Sequence, residues 1–189
     1  MADVILVDQK DRETGREEKQ AAHVRGLLHR AFSVFLTDGT KMLIQQRAPE
    51  KYHCGGLWSN ACCSHPQPGE RTAEAARRRL REELGIEGVS LTELYSFCYR
   101  AEFPNGLTEY ELDHVFWGSY SGEVRPDPEE IGGVRWVECE ELLKDFCRQP
   151  ELYTPWFKMA GPRVIREYQR QTSGIRPEAE DGDIQAGSV

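Results

Sequence analysis

Residues 69–86 read GERTAEAARRRLREELGI, and the fold prediction starts from this stretch. Its pattern predicts a helix from Thr72 to Leu84, which ends at Gly85 because glycine readily adopts the left-handed conformation of a helix stop. Arg79 and Glu83 are four positions apart, so they share one face of this helix. Glu83 can offer a carboxylate oxygen to Mg²⁺, and Arg79 can donate two parallel hydrogen bonds to a phosphate. The simpler alternative is a charged helix whose arginine and glutamate face is solvated.

Strand patterns stand on both sides of this helix. Residues 31–36 alternate in the manner of a strand, Asp38-Gly39 signals a tight turn, and residues 42–46 resume the strand. The charged stretch from Asp8 to Lys19 is predicted to be an exposed turn. Hairpins with a few helices, rather than regular βαβ units, predict an α+β fold with a mixed sheet flanked by helices. The other predicted strands cover residues 4–7, 91–102, 107–120 and 134–137, and the other predicted helices cover residues 138–147 and 155–170.

Length, charge and composition exclude several classes of protein. The 189 residues suit one domain, predicted at residues 1–172, and the polar segment 173–189 is predicted to be a disordered tail. A net charge of −8 argues against a nucleic-acid partner, but it allows a locally positive pocket for a small anion. No apolar run reaches the ~18–20 residues of a membrane span, and residues 1–10 lack an export-signal pattern. We therefore expect a cytoplasmic protein with no membrane contact, reduced cysteines and a monomeric state.

The helix and the loop before it resemble the Nudix box, G-x5-E-x7-R-E-U-x-E-E-x-G-U, in which U is an aliphatic residue. Two positions depart from it: Ser64 stands where the box has its first glycine, and Arg79 stands where it has a glutamate. Nudix hydrolases cluster several carboxylates to hold a metal and activate a water on a pyrophosphate. An arginine in place of one carboxylate favours binding of a diphosphate over its hydrolysis. The resemblance implies a Nudix-like fold, and the positions in register are Glu70, Arg78, Leu80, Glu82, Glu83, Gly85 and Ile86.

Histidine and glutamate residues suggest a metal site. His23, His29 and His65 stand in notable contexts, and Glu109 and Glu111 are two positions apart, which in a strand puts both on one face. A buried face with two carboxylates is costly without a cation. Three imidazoles and two carboxylates could bind Mn²⁺, Mg²⁺ or Zn²⁺. The alternative is three unrelated polar histidines and a solvated strand face, since spacing alone does not show that the five side chains meet.

Four further motifs resemble those of type I isopentenyl diphosphate isomerases. Residues 60–66, NACCSHP, resemble the T-N-x-x-C-x-H-P motif of this family, and residues 28–35, LHRAFSVF, resemble its L-H-x-A-F-S segment. Residues 109–111, EYE, resemble its E-x-E segment, and residues 153–157, YTPWF, resemble its T-P-W region. The motifs follow the family's order over residues 4–168. The resemblance implies a metal-dependent isomerase that interconverts isopentenyl diphosphate and dimethylallyl diphosphate by proton transfer.

The resemblance also implies roles for individual residues. Cys63 would be the catalytic cysteine, because the Cys-x-His spacing to His65 selects it over Cys62. Glu111, assisted by Tyr99, would be the catalytic acid on the opposite side of the substrate. One divalent metal, Mn²⁺, Mg²⁺ or Zn²⁺, would be bound by His23, His29, His65, Glu109 and Glu111.

The same resemblance implies how the two ends of the substrate are bound. Glu83 and the backbone carbonyl of Cys63 would hold a Mg²⁺ on the diphosphate. Trp156 would cover the hydrocarbon and its transient cation. The positions that match diphosphate contacts are Lys19, Arg47, Lys51 and Arg79.

Two other functions stay open at this point. A Nudix-type pyrophosphohydrolase would release phosphate, whereas an isomerase would leave the diphosphate intact. A non-catalytic metal- or phosphate-binding module would keep its function if Cys63 were replaced by alanine. Arg79 and the pair of Cys63 with His65 favour the isomerase over the hydrolase.

Overall fold

The computed structural model describes residues 3–51 and 53–172, so the tail predicted at residues 173–189 lies outside the described residues. The strands are β1 Asp3–Val7, β2 Glu13–Glu18, β3 His29–Asp38, β4 Lys41–Arg47, β5 Trp58–Asn60, β6 Cys62–Ser64, β7 Thr92–Glu102, β8 Thr108–Ser119 and β9 Ile131–Glu138. The helices are α1 Lys19–Arg25, α2 Thr72–Leu84, α3 Cys139–Arg148 and α4 Pro155–Thr172, with a 3₁₀ turn at Pro150–Leu152.

Strand β3 is the centre of a mixed sheet. One edge pairs antiparallel with β4 and, over residues 32–34, with β6. The other edge pairs in parallel with β8 over residues 29–37. Strand β7 extends the sheet beyond β8, while β5 and β9 both pair with β4. This arrangement confirms the predicted α+β class with a mixed sheet.

Both faces of β3 are buried, because helices cover the sheet on each side. Val34 and Leu36 belong to one hydrophobic cluster with Leu80 of α2. Phe35 points to the opposite face and belongs to a second cluster with Phe157 of α4. The helices therefore flank the sheet as predicted, and any polar group on the inner strands lies in a water-poor environment.

The helix predicted from Thr72 to Leu84 is confirmed as α2. Gly85 follows it with φ of 65°, in the left-handed conformation that the sequence predicted. The Gly85 N–H donates to the Arg81 carbonyl at 3.0 Å, and the Ile86 N–H donates to the Leu80 carbonyl at 3.2 Å. These two bonds satisfy carbonyls at the helix end and fix where the chain turns away.

The prediction of an exposed turn from Asp8 to Lys19 is wrong for most of that stretch. Only its first part is a turn, because β2 follows it and Lys19 begins α1. Strand β2 has the sequence ETGREE and pairs with β1 through its backbone, so it lacks the apolar alternation that would reveal a strand. Helix α1 has only seven residues, and it depends on a hydrogen bond from the Ala21 N–H to the Glu18 carboxylate.

No helix in the described part of the chain has both the length and the apolar character of a membrane span.

Candidate active site

The candidate site lies where β3, β6 and β8 meet, on the sheet face that carries α4. His29 and Ser33 alternate in phase with Phe35, so they point to this face. Glu111 of β8 is the partner of His29, and Cys63 of β6 is the partner of Ser33. Adjacent strands are ~4.8 Å apart, so backbone pairing holds Cys63 and Glu111 on opposite sides of β3.

Four predicted metal ligands converge at one end of this face. The Nε2 atoms of His29 and His65 are 3.2 Å apart, and His65 Nε2 is 2.9 Å from Glu111 Oε1. With His23, these side chains offer ligand atoms that all lie within 4.8 Å of one another. The Nδ1 atoms of His23 and His29 lie 2.6 and 2.8 Å from backbone carbonyl oxygens. An Nδ1–H that donates to a carbonyl leaves Nε2 to bind a metal, so the backbone orients both rings as ligands.

Burial and hydrogen bonds set the charges in this cluster. Burial lowers the pKa of His65 to about 3. Burial also opposes charge on His29, but the hydrogen bond and charge of Glu111 outweigh it and raise the pKa of His29. For Glu111 the hydrogen bonds from both imidazoles outweigh burial and hold its pKa well below the usual range. The cluster thus keeps an ionised carboxylate beside imidazole nitrogens, a donor set that fits a divalent metal.

Glu109 is linked to the cluster through Tyr99 and through a histidine that the sequence did not single out. The Tyr99 hydroxyl lies 2.9 Å from Glu109 Oε2 and 2.5 Å from Glu111 Oε2, so both carboxylates share its proton. Burial and these carboxylates raise the pKa of Tyr99 well above its usual value, which keeps it a donor. His53 Nε2 is 3.0 Å from Glu109 Oε1, and His23, His53 and Glu109 form a second group with metal-ligand spacing.

The thiol of Cys63 lies among polar side chains on the cavity wall. It donates to Asn60 Oδ1 at 2.9 Å, and the Trp156 indole N–H donates to Sγ at 3.0 Å. Burial raises the pKa of the Cys63 thiol to about 12, although hydrogen bonds from Ser59 and Trp156 act in the opposite direction. Cys62, by contrast, is buried in the cluster around α2, so the two cysteines face opposite sides of the sheet.

Trp156, Arg47 and Lys19 form another part of the cavity wall. The guanidinium carbon of Arg47 is 5.4 Å from the centre of the Trp156 ring, which is a cation–π distance. Burial lowers the pKa of Lys19, and the charges of Arg47 and Lys51 act in the same direction. The cavity has a volume of about 40 Å³ for the centres of water molecules, and one water needs ~10–15 Å³ on this measure, so the space suits only a few waters. A five-carbon ligand therefore requires part of this wall to move.

Arg79 and Glu83 share a helix face, as their spacing predicted. Nε and Nη2 of Arg79 both donate to Glu83 Oε1, at 2.9 and 2.6 Å. Arg79 Nη2 also lies 3.4 Å from Glu130 Oε1, and Glu130 forms an ion pair with Lys51. Burial raises the pKa of Glu83 despite the nearby Arg79 charge. Lys51, Arg79 and Glu83 thus form an ion-pair cluster with Glu130 rather than part of the cavity wall.

A third carboxylate, Asp113, is buried two positions after Glu111 on β8. Ser33 Oγ donates to Asp113 Oδ2 at 2.7 Å. Asp113 Oδ1 has no hydrogen-bond partner within residues 3–51 and 53–172. Burial, with the charge of Glu111, raises the pKa of Asp113 well above its usual range. The Asp113 carboxyl group therefore favours its neutral form, whereas the nearby Glu111 carboxyl group favours its ionised form.

Three residues of the site were not predicted from the sequence: His53, Asp113 and Glu130. His53 and Glu130 stand in irregular loops, where no periodic pattern gives the direction of a side chain. Asp113 continues the alternation of Glu109 and Glu111, and that period of two is the signal that could have found it. For His53 the available signal is weaker: the chain has only five histidines, and three of them already belong to the predicted metal site.

The sequence and the fold match known proteins. The NUDIX domain family matches residues 27–157. The chain is 49% identical over 163 residues to isopentenyl-diphosphate Delta-isomerase 2 of Aromatoleum aromaticum, with 86% of each chain covered. It is 44% identical over 170 residues to the isopentenyl-diphosphate Delta-isomerase of Pectobacterium atrosepticum, covering 89% of this chain and 94% of that one. The crystal structure of DR0079 from Deinococcus radiodurans shares the fold, with a TM-score of 0.71, 24% identity and coverage of 85% and 98%.

We expect Asp113→Asn to stabilise the metal-free protein more at pH 8 than at pH 5. The unfolded chain releases the Asp113 proton near pH 3.8, whereas the folded chain retains it to a much higher pH. The free energy of unfolding of the wild type therefore falls as the pH rises above 3.8. Asparagine does not titrate, so it removes this pH dependence, and its side-chain oxygen can still accept the hydrogen bond from Ser33. Urea unfolding at both pH values measures the difference, with Asp38→Asn at the exposed end of β3 as the control. A stabilisation that does not grow with pH would contradict the buried neutral acid.

Proposed function

The chain belongs to the isopentenyl-diphosphate Delta-isomerase family and has a NUDIX domain, and from this membership we propose that it interconverts isopentenyl diphosphate and dimethylallyl diphosphate. The reaction adds a proton to the terminal methylene carbon and removes one from the carbon that enters the new double bond. A tertiary carbocation forms between the two steps. The observation that carries the proposal is the location of Cys63 and Glu111 on strands that flank β3, with both side chains on one cavity wall.

Cys63 and Glu111 are the proposed proton-transfer pair. The alkene is unactivated, so one side of it needs an acid while the other needs a base. A thiol and a carboxyl group that hold one proton between them supply both roles, and the direction of reaction decides which of them donates. One of the two groups donates a proton to the substrate and the other accepts a proton from it, so Cys63 and Glu111 together still hold one proton after the reaction. Tyr99, whose hydroxyl contacts the Glu111 carboxylate, is proposed to assist that end of the transfer.

Trp156 is the proposed cover of the carbocation. A cation that meets water becomes an alcohol, so the cavity has to stay dry during the reaction. Trp156 is 3% exposed, and its indole N–H donates to both Ser59 and Cys63, which fixes the ring beside the thiol. The face of an indole ring stabilises a nearby cation by ~0.5–2 kcal/mol. Arg47 lies over this ring, and we expect it to leave when the substrate binds.

The diphosphate is proposed to bind among the cations at the edge of the cavity. Lys19 and Arg47 are on its wall, and Lys51 and Arg79 share the carboxylate of Glu130. Phosphate oxygens can replace Glu130 as the partners of these two cations, because charge-assisted bonds to phosphate are strong. Binding energy from this unreactive end then positions the reacting carbons.

Two divalent cations belong to the proposal. Glu83 and the backbone carbonyl of Cys63 would hold Mg²⁺ on the diphosphate, where it neutralises negative charge. A second ion, Mn²⁺, Mg²⁺ or Zn²⁺, would supply charge that orients Glu111 and tunes its acidity. The residues proposed to hold the second ion are His23, His29, His65, Glu109 and Glu111.

Arg79 favours isomerisation over hydrolysis at this site. It stands where Nudix hydrolases have a glutamate, and its guanidinium binds the Glu83 carboxylate through two hydrogen bonds. Compared with a Nudix hydrolase, the site has one carboxylate fewer to hold the metal that activates an attacking water. In its place it has a guanidinium that can bind the diphosphate.

We also propose that residues 1–172 are a single catalytic domain that acts as a monomer in the cytoplasm on a small anion, with no nucleic-acid or membrane partner. The six cysteines are free thiols, which is typical of a reducing compartment.

Incubation with isopentenyl diphosphate, Mg²⁺ and Mn²⁺ in D₂O tests the proposed reaction. We expect proton NMR to show dimethylallyl diphosphate with deuterium in a methyl group, because the added proton comes from a group that exchanges with solvent. Phosphorus NMR should show the diphosphate intact. Release of phosphate would instead support the pyrophosphohydrolase, and an unchanged substrate would support the binding module.

We expect Cys63→Ala to lower kcat by at least ~100-fold, which is the scale of a general acid or base, while diphosphate affinity stays near that of the wild type. The thiol touches no predicted diphosphate ligand, so its loss should affect the chemical step alone. Isothermal titration with the substrate and NMR turnover assays separate the two quantities. Cys98→Ala, at an exposed position on β7, is the matched control and should keep full activity. Near-normal turnover by Cys63→Ala would remove Cys63 from the mechanism.

A further inference from the structure

We propose that His53 is a direct ligand of the divalent cation in the histidine and glutamate cluster, which makes this a site of four histidines and two glutamates. The inference rests on the proposed function in that it concerns the same metal site, but its test needs no turnover. His53 belongs to none of the motifs that the sequence resemblance uses. It is 7% exposed, and its Nε2 atom lies 3.0 Å from Glu109 Oε1.

The spacing between His53 and Glu109 matches the spacing among the other predicted ligands. Two ligand atoms that are ~2.1 Å from one ion, at right angles to each other, lie ~3 Å apart. His65 Nε2 and Glu111 Oε1 show this separation, at 2.9 Å. His53 Nε2 and Glu109 Oε1 show it as well, at 3.0 Å. His53 is therefore placed as a neighbouring ligand of Glu109.

His23 joins the two ligand groups into one site. Its ligand atom lies within 4.8 Å of those of His53 and Glu109, and also within 4.8 Å of those of the first group. The His23 ring centroid is 5.0 Å from that of His29, 5.9 Å from that of His53 and 5.8 Å from that of His65. His23 Nδ1 faces a backbone carbonyl, which leaves Nε2 as the ligand atom, and one nitrogen lone pair binds one ion. An ion bound to His23 Nε2 can therefore reach both groups, and binding all six ligands requires the two groups to draw closer, since their atoms do not all lie within 4.8 Å of one another.

The loop that carries His53 holds a costly conformation. Cys54, the next residue, has φ of 53° although it is not a glycine, and such a backbone persists only where its surroundings enforce it. A Cβ on Gly55 would lie 2.3 Å from the Pro49 carbonyl oxygen, so the loop packs closely against itself. The His53 ring also stacks on Phe103, with centroids 5.1 Å apart. These contacts fix the imidazole beside Glu109 before an ion binds.

The chemistry of the donor set defines the class of ion. Two carboxylates balance the charge of a divalent cation, and four neutral imidazoles complete its coordination, so the buried site carries no net charge. Imidazole nitrogen suits first-row transition metals, whereas Mg²⁺ prefers oxygen ligands and keeps several waters. The donor set therefore fits a divalent first-row ion, and Mn²⁺ serves as the probe.

Counting the nitrogen ligands of bound Mn²⁺ tests the proposal. The full chain is produced with ¹⁵N-labelled histidine, stripped of metal and loaded with one equivalent of Mn²⁺. Pulsed EPR then counts the ¹⁵N nuclei that are bound directly to the ion. We expect four in the wild type and three in His53→Ala, together with at least ~tenfold weaker Mn²⁺ binding in the variant.

His114→Ala is the matched control for loss of a histidine. His114 is the fifth histidine of the chain, and it pairs with Asp11 and Glu93 rather than with the cluster. This variant should keep four nitrogen ligands. His53→Gln, which removes the imidazole but keeps a polar side chain, should give three and replaces His53→Ala if that variant does not fold.

The number of nitrogen ligands of Mn²⁺ in the wild type is enough to test the proposal, without any variant. Three coordinated nitrogens in the wild type would overturn it. The isomerase assay on the same sample separates this proposal from the proposed function. Four coordinated nitrogens without isomerisation would contradict the proposed function but support His53 as a ligand. Three coordinated nitrogens with isomerisation would support the function but contradict His53 as a ligand.

Discussion

Three buried carboxylates on one face of β8 constrain the rest of the site. Glu109, Glu111 and Asp113 occupy alternate positions of the strand, and they are 4%, 6% and 1% exposed. Such a row is costly to bury unless a positive charge or a proton accompanies each member. The protein meets this cost in two ways, because imidazoles gather around the first two carboxylates while Asp113 retains its proton. The same constraint explains why a divalent cation fits this place and why Tyr99 shares its proton with two acceptors.

The fold turns this charged row into one half of a reactive cavity. Strand β3 is buried on both faces, so it rigidly separates β8, which carries the carboxylates, from β6, which carries Cys63. Because DR0079 shares this fold at only 24% sequence identity, the architecture alone does not determine the chemistry. The proposed chemistry depends on individual side chains: Cys63, Glu111 and Trp156 line one cavity, and Arg79 stands where the Nudix box has a glutamate.

The sequence predicted the parts of the molecule that have strong local patterns. Helix α2, the hairpin of β3 and β4, and the long pair β7 and β8 follow from periodicity and glycine turns, and the structure confirms them. Strand β2 was missed because it is polar on both faces. Strands β5 and β6 were missed because each has only three residues, too few to show the alternation of a strand. In the site, the motifs predicted the residues that β3, β6 and β8 bring together. His53 and Glu130 could not be predicted, since only tertiary packing decides where an irregular loop directs its side chains.

The proposed mechanism requires a thiol and a carboxyl group that face each other across a five-carbon chain. A crystal structure with the saturated analogue 3-methylbutyl diphosphate, Mg²⁺ and Mn²⁺ measures this most directly, because the analogue binds without reacting. We expect Cys63 Sγ and a Glu111 carboxylate oxygen on opposite faces of the five-carbon chain, each in contact with it at ~3.5–4.0 Å. Both groups on the same face, or either one out of contact with the hydrocarbon, would contradict it.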